Sequence, residues 1–348
     1  MRRRDFITVL TGATAWVAAT RAQEPRRIIG HLGAFLKSTE SFDATMPGAR
    51  AAFYQGLREA GFVEGRNITI EYRWADGHYD RLPSLAAELV SRNVAVIWAF
   101  DLPSAFAAKA ATKTIPIVFM IGADPVKVGL VESFSRPTGN LTGTSIFLSV
   151  TGPKRVELLR EILPSVNTIA LLGNLDNPNF RPDVPDIQAA ADALKKRLEV
   201  LTARAESALE VAFSTMVRHR VGALIIVPDP LLISLREQLV SLAARHAMPT
   251  IYPSRAFSDL GGLISYGSSV VDLGEQAGIY VGKILKGAKP ADLPIQFDLA
   301  GSGSEGFCRD SGRSAGADLD IVLATACVRL RLHLRRTAMD HAQQFIPD

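Results

Sequence analysis

The hydrophobic and polar positions from residue 52 to residue 93 change period twice along the chain. Apolar residues recur at helical spacing from Ala52 to Phe62, and Gly61 stands where a left-handed helix cap is expected. In the segment 68–74, ITIEYRW, every second residue is apolar, which predicts a half-buried strand near a sheet edge. Helical spacing returns from Leu82 to Val90. This succession of helix, strand and helix predicts an α/β fold.

The same alternation extends over most of the chain. Continuous apolar runs at 94–100 and 115–121 predict strands that are buried on both faces of a sheet. A second series of helices and strands follows from 153 to 252, including one long helix at 231–246. About 275 residues of alternating structure suit two domains of ordinary size. We therefore predict two doubly wound parallel-sheet lobes.

Residues 1–22 have the pattern of an export signal. Three arginines precede a weakly apolar run from Phe6 to Ala19, and small residues stand before Gln23. The RRDFI run and the modest hydrophobicity favour the twin-arginine route, with a general secretory signal as the alternative. About 14 apolar-leaning residues fall short of the roughly 20 that a spanning helix needs. We expect cleavage near Ala22 and a periplasmic protein.

The charge of the chain says little about partners once this signal is set aside. The formal net charge is +4, but the signal holds four arginines and one aspartate, and the remainder carries +1. Such a balance does not favour nucleic acid or an anionic membrane as a partner. Both cysteines, Cys308 and Cys327, lie beyond residue 300, so the body is expected to depend on a large apolar core rather than on disulfides.

Several segments resemble one family of periplasmic ABC-transporter substrate-binding proteins, of the type I periplasmic-binding-protein-like class and its tryptophan- or amino-acid-binding branch. The similarity covers roughly residues 27 to 297, in the same order and spacing. The segments that carry it are 56–90, 107–119 (AAKAATKTIPIVF), 124–130 (DPVKVGL), 228–230 (PDP) and 261–289.

The resemblance implies two similar lobes joined by three crossovers, with a ligand cleft between them. It places 26–144 and 262–290 in the first lobe, and 145–261 and 291–299 in the second. It also implies a monomeric protein that works with the permease and ATPase subunits of an importer and has no nucleic-acid partner.

Candidate ligand contacts follow from the rule that open α/β sheets bind ligands outside the carboxyl ends of their strands, where helix N-termini also point. Hydroxyl, carboxylate and amide groups in these loops suit a small polar ligand. For each residue, helix capping or turn formation is the alternative, and for the tyrosine it is burial between sheet and helix. The candidates are Ser38, Thr39, Ser41, Asp101, Ser104, Asp124, Asn174, Asp229, Arg255, Tyr266 and Ser268.

Catalytic and cofactor motifs are missing from the sequence. No histidine stands in an H-E-x-x-H pair, and no G-x-S-x-G or Walker lysine occurs. The stretch 301–306, GSGSEG, matches G-x-G-x-x-G, but 307–316 has no helical stripe after it, so we assign no dinucleotide site. We expect no catalytic residues, no metal and no cofactor.

Residues 300–348 depart from the family pattern, with a Gly/Ser run followed by the arginine-dotted segment VRLRLHLRRT. Either a reading-frame slip in the gene or a genuine C-terminal arm explains this tail. For the chain as a whole, the expected function is that of an exported solute-binding component of an ABC importer, with an amino acid or similar small organic solute as ligand. A periplasmic sensor subunit for a signalling kinase and an exported hydrolase are the alternatives.

Overall fold

The structure is a computed structural model that describes residues 26–36, 46, 48–137, 139–146, 151–267 and 270–297. These residues form two α/β lobes, each with a parallel sheet covered by helices, which confirms the predicted fold class. The predicted signal at 1–22 and the tail at 300–348 lie outside the described residues, as do Ser38, Thr39, Ser41 and Ser268.

The first lobe contains a six-stranded parallel sheet in the order β11-β5-β4-β3-β1-β2. The strand β2 is at the sheet edge, as its alternating pattern predicts. The strands are β1 (Arg27–Gly33), β2 (Ile68–Trp74), β3 (Val96–Ala99), β4 (Ile117–Ile121), β5 (Leu141–Ser145) and β11 (Gln296–Phe297). The helices are α1 (Ala49–Glu59), α2 (Leu82–Ser91), α3 (Leu102–Ala111) and α10 (Val271–Leu285), with short 3₁₀ turns at Tyr79–Arg81 and Pro290–Asp292.

The second lobe contains a five-stranded parallel sheet in the order β10-β9-β8-β6-β7. Its strands are β6 (Thr168–Gly173), β7 (Arg197–Thr202), β8 (Ala223–Ile226), β9 (Thr250–Tyr252) and β10 (Ile264–Ser265). Its helices are α4 (Thr151–Ile162), α5 (Phe180–Ala193), α6 (Ser207–Arg218), α7 (Pro230–Ser234), α8 (Arg236–Arg245) and α9 (Arg255–Ser258). The single helix expected at 231–246 is two helices, which meet at Leu235.

Two of the expected lobe boundaries are wrong. The strand β10 pairs with β9, so Ile264 and Ser265 belong to the second lobe and not to the first. The strand β11 pairs with β5, where Gln296 and Phe297 lie beside Thr144 and Ser145, so the end of the described chain belongs to the first lobe. Within the described residues the chain therefore passes between the lobes twice, rather than three times.

Helices α1 and α10 cross in direct backbone contact on one face of the first sheet. A Cβ atom at Gly56 would overlap the carbonyl oxygen of Glu275, and a Cβ atom at Gly278 would overlap the carbonyl oxygen of Phe53. Only glycine allows the two backbones to approach this closely. A helix from the end of the described chain thus completes the core around Phe53 and Leu57, which are fully buried.

The core of the first lobe contains a cluster of aromatic rings around His31 on β1. The His31 ring centroid lies 4.4 Å from that of Trp74 and 4.7 Å from that of Trp98. Trp98 in turn stacks on Phe53, with centroids 3.5 Å apart. Burial lowers the pKa of His31 to about 3, with a further contribution from the positive charge of Arg50, so the imidazole is neutral at physiological pH.

Candidate functional site

A small cavity lies between the two lobes, at the carboxyl ends of strands from both sheets. Its volume is about 70 Å³, well below the roughly 300 to 1,000 Å³ of most small-molecule sites. A ligand of amino-acid size therefore needs the lobes to move apart before it can enter. Polar groups from both lobes line this space, among them Asp101, Asn177, Asn179 and Asp229, together with apolar side chains that include Phe35, Phe100, Met120, Ile146 and Ile233.

Asp101 follows β3 and caps α3. One carboxylate oxygen accepts a hydrogen bond from the Ser104 backbone N–H at 2.8 Å, and the other accepts one from the Ala34 N–H, just after β1, at 2.6 Å. The residue is only 6% exposed. Burial raises the pKa of Asp101 to about 6 despite these hydrogen bonds, and the negative charge of Asp229 adds to the rise.

Asp229 occupies the equivalent position in the second lobe, as the cap of α7 after β8. It accepts a hydrogen bond from the Leu232 N–H at 2.9 Å and one from the Asn177 side-chain amide, also at 2.9 Å. A third comes across the cleft from the Tyr79 hydroxyl of the first lobe, at 2.8 Å. Burial raises the pKa of Asp229, although its hydrogen bonds oppose the rise.

Further contacts join the lobes around this point. The backbone N–H of Leu36 donates to the Ser234 hydroxyl at 3.4 Å, and the Tyr79 hydroxyl also accepts from the Leu231 N–H at 3.4 Å. At the surface, Lys127 pairs with Asp186 of the other lobe at 2.5 Å. The exposed ion pair contributes little to stability. The hydrogen bonds to Asp229 and Ser234 set the closed arrangement of the lobes at the cleft itself.

The capping and ligand-binding interpretations of the two aspartates are not exclusive. Each carboxylate caps a helix, and each also lines the cavity between the lobes. Two buried carboxylates that influence each other electrostatically create a strongly negative space, because neither is neutralised by a lysine or arginine among the described residues that line the cavity. Such a space attracts a cation or holds a proton.

The other sequence candidates that the structure describes lie outside the lining of this cavity. Ser104 is buried in α3, where its backbone N–H serves Asp101. The carboxylate of Asp124 accepts hydrogen bonds from the backbone N–H groups of Val126 and Lys127. The side-chain oxygen of Asn174 accepts one from the backbone N–H of Asp176. Asp124 and Asn174 therefore act as turn residues, the alternative given for them above, and Ser104 serves the cap formed by Asp101.

Arg255 and Tyr266 also lie away from the cavity lining. The side chain of Arg255 is 71% exposed and faces Asp259 at 3.4 Å. Tyr266 packs against the aliphatic core of the second lobe, and its carbonyl oxygen accepts a hydrogen bond from the buried Arg155 at 3.0 Å. This bond connects α4, which follows the first passage between lobes, to the start of the second passage.

Tyr79, Asn177 and Asn179 are cleft residues that the sequence did not single out. Tyr79 precedes α2 in a 3₁₀ turn, far in sequence from the loop that it reaches. The two asparagines follow β6 in the segment Asn177-Pro178-Asn179, which has the pattern of an ordinary turn. Their position after a buried strand was a usable signal, since the same rule led to Asp101 and Asp229.

A larger depression of about 720 Å³ lies on the first lobe beside α10 and β11. It is open and shallow, and the described chain ends at its rim. All of the described residues that line it belong to the first lobe. The cleft, where strands of both sheets end, therefore remains the candidate site. The described helices include none that is long and apolar enough to cross a membrane, and the described side chains form no group of three potential metal ligands.

Comparison with known proteins agrees with this architecture. A family model described as "ABC transporter substrate binding protein" matches residues 38–300. A "Tyrosine-binding protein" of Clostridioides difficile is 30% identical over 249 residues, which is 71% of each chain. In both sequences the similarity therefore extends over most of the protein.

Two solved structures inform the arrangement of the lobes. One is an ABC domain from Streptococcus pneumonia in complex with L-Trp, with a TM-score of 0.70, 25% identity, and coverage of 80% of this chain and 90% of that chain. The other is a ligand-free, open substrate-binding protein from Clostridium difficile, with a TM-score of 0.53, 28% identity, and coverage of 78% and 89%. At nearly equal identity, this chain superposes better on the L-Trp complex than on the open, ligand-free structure.

Proposed function

Because this chain belongs to the ABC transporter substrate-binding protein family, we propose that it captures an amino acid with an apolar or aromatic side chain and delivers it to the permease and ATPase subunits of an importer. The family consists of substrate-binding proteins rather than enzymes. The observation that carries the proposal is the cavity between the lobes, in which buried carboxylates from both lobes meet apolar and aromatic walls.

The chemistry of the cavity supports this ligand class. Asp101 and Asp229 suit the ammonium group of an amino acid, while Phe35 and Phe100 suit an apolar side chain. The relative from Clostridioides difficile is described as tyrosine-binding, and the structure from Streptococcus pneumonia was solved with L-Trp. L-tyrosine and L-tryptophan are therefore the first ligands to test.

Binding in this proposal works by a shift in population. The two lobes exchange between open and closed arrangements, and a ligand that contacts both lobes stabilises the closed one by the difference between its affinities for the two. The cross-cleft bond from Tyr79 to Asp229 favours closure whether or not a ligand is present. Delivery then requires the membrane subunits to recognise the closed arrangement.

The test is a thermal-shift screen of the purified protein against the common amino acids, followed by calorimetry. A ligand at 100 times its dissociation constant stabilises the folded protein by about 2.7 kcal/mol. We expect L-tyrosine or L-tryptophan to raise the melting temperature and to bind with a 1:1 stoichiometry, with the D-enantiomers as matched controls. No shift with any amino acid, or equal shifts with both enantiomers, would contradict the proposal.

We also propose that the protein is exported through the twin-arginine pathway, on the strength of the RRDFI run. Replacing Arg3 and Arg4 together by Lys is expected to retain the protein in the cytoplasm, as cell fractionation would show. Replacing Arg21 and Arg26 by Lys is the matched control and should leave export unchanged. Undiminished export of the Arg3/Arg4 variant would exclude this route.

A further inference from the structure

The open depression beside α10 and β11 has a fixed wall and an apolar floor. The Tyr280 hydroxyl donates to the carbonyl oxygen of Pro294 at 2.5 Å and accepts from the Gln296 side-chain amide at 3.0 Å. These bonds join α10 to the segment that leads into β11, so the lobe itself sets the shape of the wall. Leu293 and Phe297 add apolar side chains, and Phe297 is 50% exposed. An apolar surface with a polar rim is typical of an interaction site.

The rim of the depression carries an excess of negative charge. Among the described residues that line it, three carboxylates face a single ammonium group: Asp272, Glu275, Asp292 and Lys283. The ammonium group of Lys283 lies over the Tyr280 ring, 5.5 Å from its centroid. Burial raises the pKa of Glu275, and neighbouring carboxylates add to the rise. A partner for this surface should therefore combine apolar groups with positive charge, since complementary charges select partners.

The sequence beyond β11 contains a segment with this combination. In 328–336, VRLRLHLRR, apolar residues stand at every second position up to Leu334, and four arginines stand between and after them. The described chain ends at Phe297, which lines the depression, so residues 298–327 connect that surface to the segment. At about 3.3 Å per residue, this connection is long enough to return to its starting point. A tether of this kind gives the segment a roughly millimolar effective concentration at the depression.

We propose that the segment 328–336 binds in the depression beside α10 and β11, with its apolar residues on the floor at Leu293 and Phe297 and its arginines at the carboxylates of the rim. The depression is then an intramolecular docking surface for a C-terminal arm. The inference does not depend on the proposed function, because the depression and the cleft between the lobes share no described lining residue.

Cross-linking tests the proposal directly, because Cys308 and Cys327 are the two cysteines of the chain and Cys327 immediately precedes the segment. Cys308→Ser leaves one natural thiol, and Gln276→Cys adds a second in the lining of the depression. We expect a short bismaleimide to join Cys327 to residue 276 within one molecule, as peptide mass spectrometry would show. Ser214→Cys, at an exposed position of α6 in the second lobe, is the matched control. It should give at least about ten-fold less cross-link.

Charge reversal then tests which groups hold the segment. Asp272→Lys combined with Glu275→Lys should lower the yield of the cross-link at residue 276 at least about three-fold, and Arg329→Glu combined with Arg331→Glu should do the same. Joining the two pairs in one chain should restore the yield, because the attraction returns with its signs exchanged. Far-UV circular dichroism checks the folding of each variant. If the lysine pair prevents folding, the arginine pair probes the same contact from the other side.

The remaining outcomes overturn the proposal. Equal yields at residues 276 and 214, or no cross-link at residue 276, would show that the segment lies elsewhere. Cross-links that join only different molecules would assign the depression to a second copy of the chain. A yield at residue 276 that neither charge reversal changes would contradict the contact between the arginines and the rim.

Discussion

The two lobes share one architecture but differ in how the chain builds it and in what it buries. The second lobe forms from one continuous stretch, 151–265 among the described residues, and buries aromatic rings such as the stacked pair Tyr252 and Phe257. The first lobe joins residues 26–146 to a helix and a strand that begin 125 residues later along the chain, counted from 146 to 271, and it buries an imidazole, that of His31, among its aromatic rings. Similar sheets can therefore be built from a continuous or a discontinuous stretch of chain.

The buried ionisable groups sharpen this contrast, because they respond to pH in opposite directions. His31 of the first lobe has a pKa lowered to about 3 by burial, so acid destabilises that lobe. Asp183 of the second lobe is 3% exposed, and burial raises its pKa to about 7, while the positive charges of Lys127 and Arg155 oppose the rise. Rising pH therefore destabilises the second lobe.

The largest difference between the lobes should appear at their glycines. Gly278→Ala places a Cβ atom against the Phe53 carbonyl oxygen in the first lobe, and we expect it to cost about 3 kcal/mol or more, since backbone atoms cannot easily yield. Gly152→Ala in the second lobe meets the Ile187 side chain rather than backbone, and we expect it to cost less. Urea unfolding followed by tryptophan fluorescence measures the first lobe, because Trp74 and Trp98 both belong to it, and calorimetry measures the second. Equal costs for the two variants would contradict the direct backbone contact.

A smaller effect is expected from His31. Its pKa is lowered from 6.5 to about 3, so the unfolded chain takes up a proton that the folded lobe excludes as the pH falls from 6.5 towards 3. This contribution should reduce the stability of the first lobe by about 2.5 kcal/mol between about pH 7.5 and about pH 4.5.

Replacing His31 by Phe removes this pH dependence, whatever the change does to packing. The free energy of unfolding is measured by tryptophan fluorescence at several pH values for the natural protein and the variant. The difference between the two pH profiles gives the contribution of His31. Replacement of the exposed His78 by Phe is the control for the loss of an imidazole from the first lobe. Parallel pH profiles for the natural protein and the His31 variant would show that the imidazole takes up its proton without unfolding.

The smallest effect is expected from Asp183 and has the opposite sign. Its raised pKa means that the folded lobe holds a proton that the unfolded chain releases as the pH rises from 3.8 to about 7. Asp183→Asn should therefore stabilise the second lobe at about pH 8 relative to about pH 6, by about 1.4 kcal/mol. Calorimetric unfolding at both pH values measures this, with the exposed Asp192→Asn on the same helix as control. A larger gain at the lower pH would contradict the assignment.

Much of the fold could be predicted from the sequence, because the signals were local. The alternation in 68–74 and the continuous apolar runs around β3 and β4 reflect burial of individual strands, and the structure has these strands. The positions of β10 and β11 could not be predicted this way. Each has two residues, which is too short for a period, and its sheet is decided by hydrogen bonds to strands distant in sequence.

The position of the cleft could be predicted from the sequence, but only some of the residues that line it could. Asp101 and Asp229 line the cavity because they end buried strands, which sequence can reveal. Arg255 follows a strand equally closely, yet its side chain turns to solvent and to Asp259. Tyr79 contacts Asp229 only because the second lobe closes onto the first, a relation that leaves no trace in the pattern of either segment.

The late position of α10 along the chain has a consequence for synthesis. A ribosome must complete the whole second lobe before the helix that covers Phe53 and Leu57 is made. Until then the nascent first lobe exposes an apolar face that invites aggregation, as incomplete domains commonly do. The second lobe needs no later segment among the described residues, so it can finish folding first. The order of folding is then the reverse of the order in which the two lobes begin along the chain.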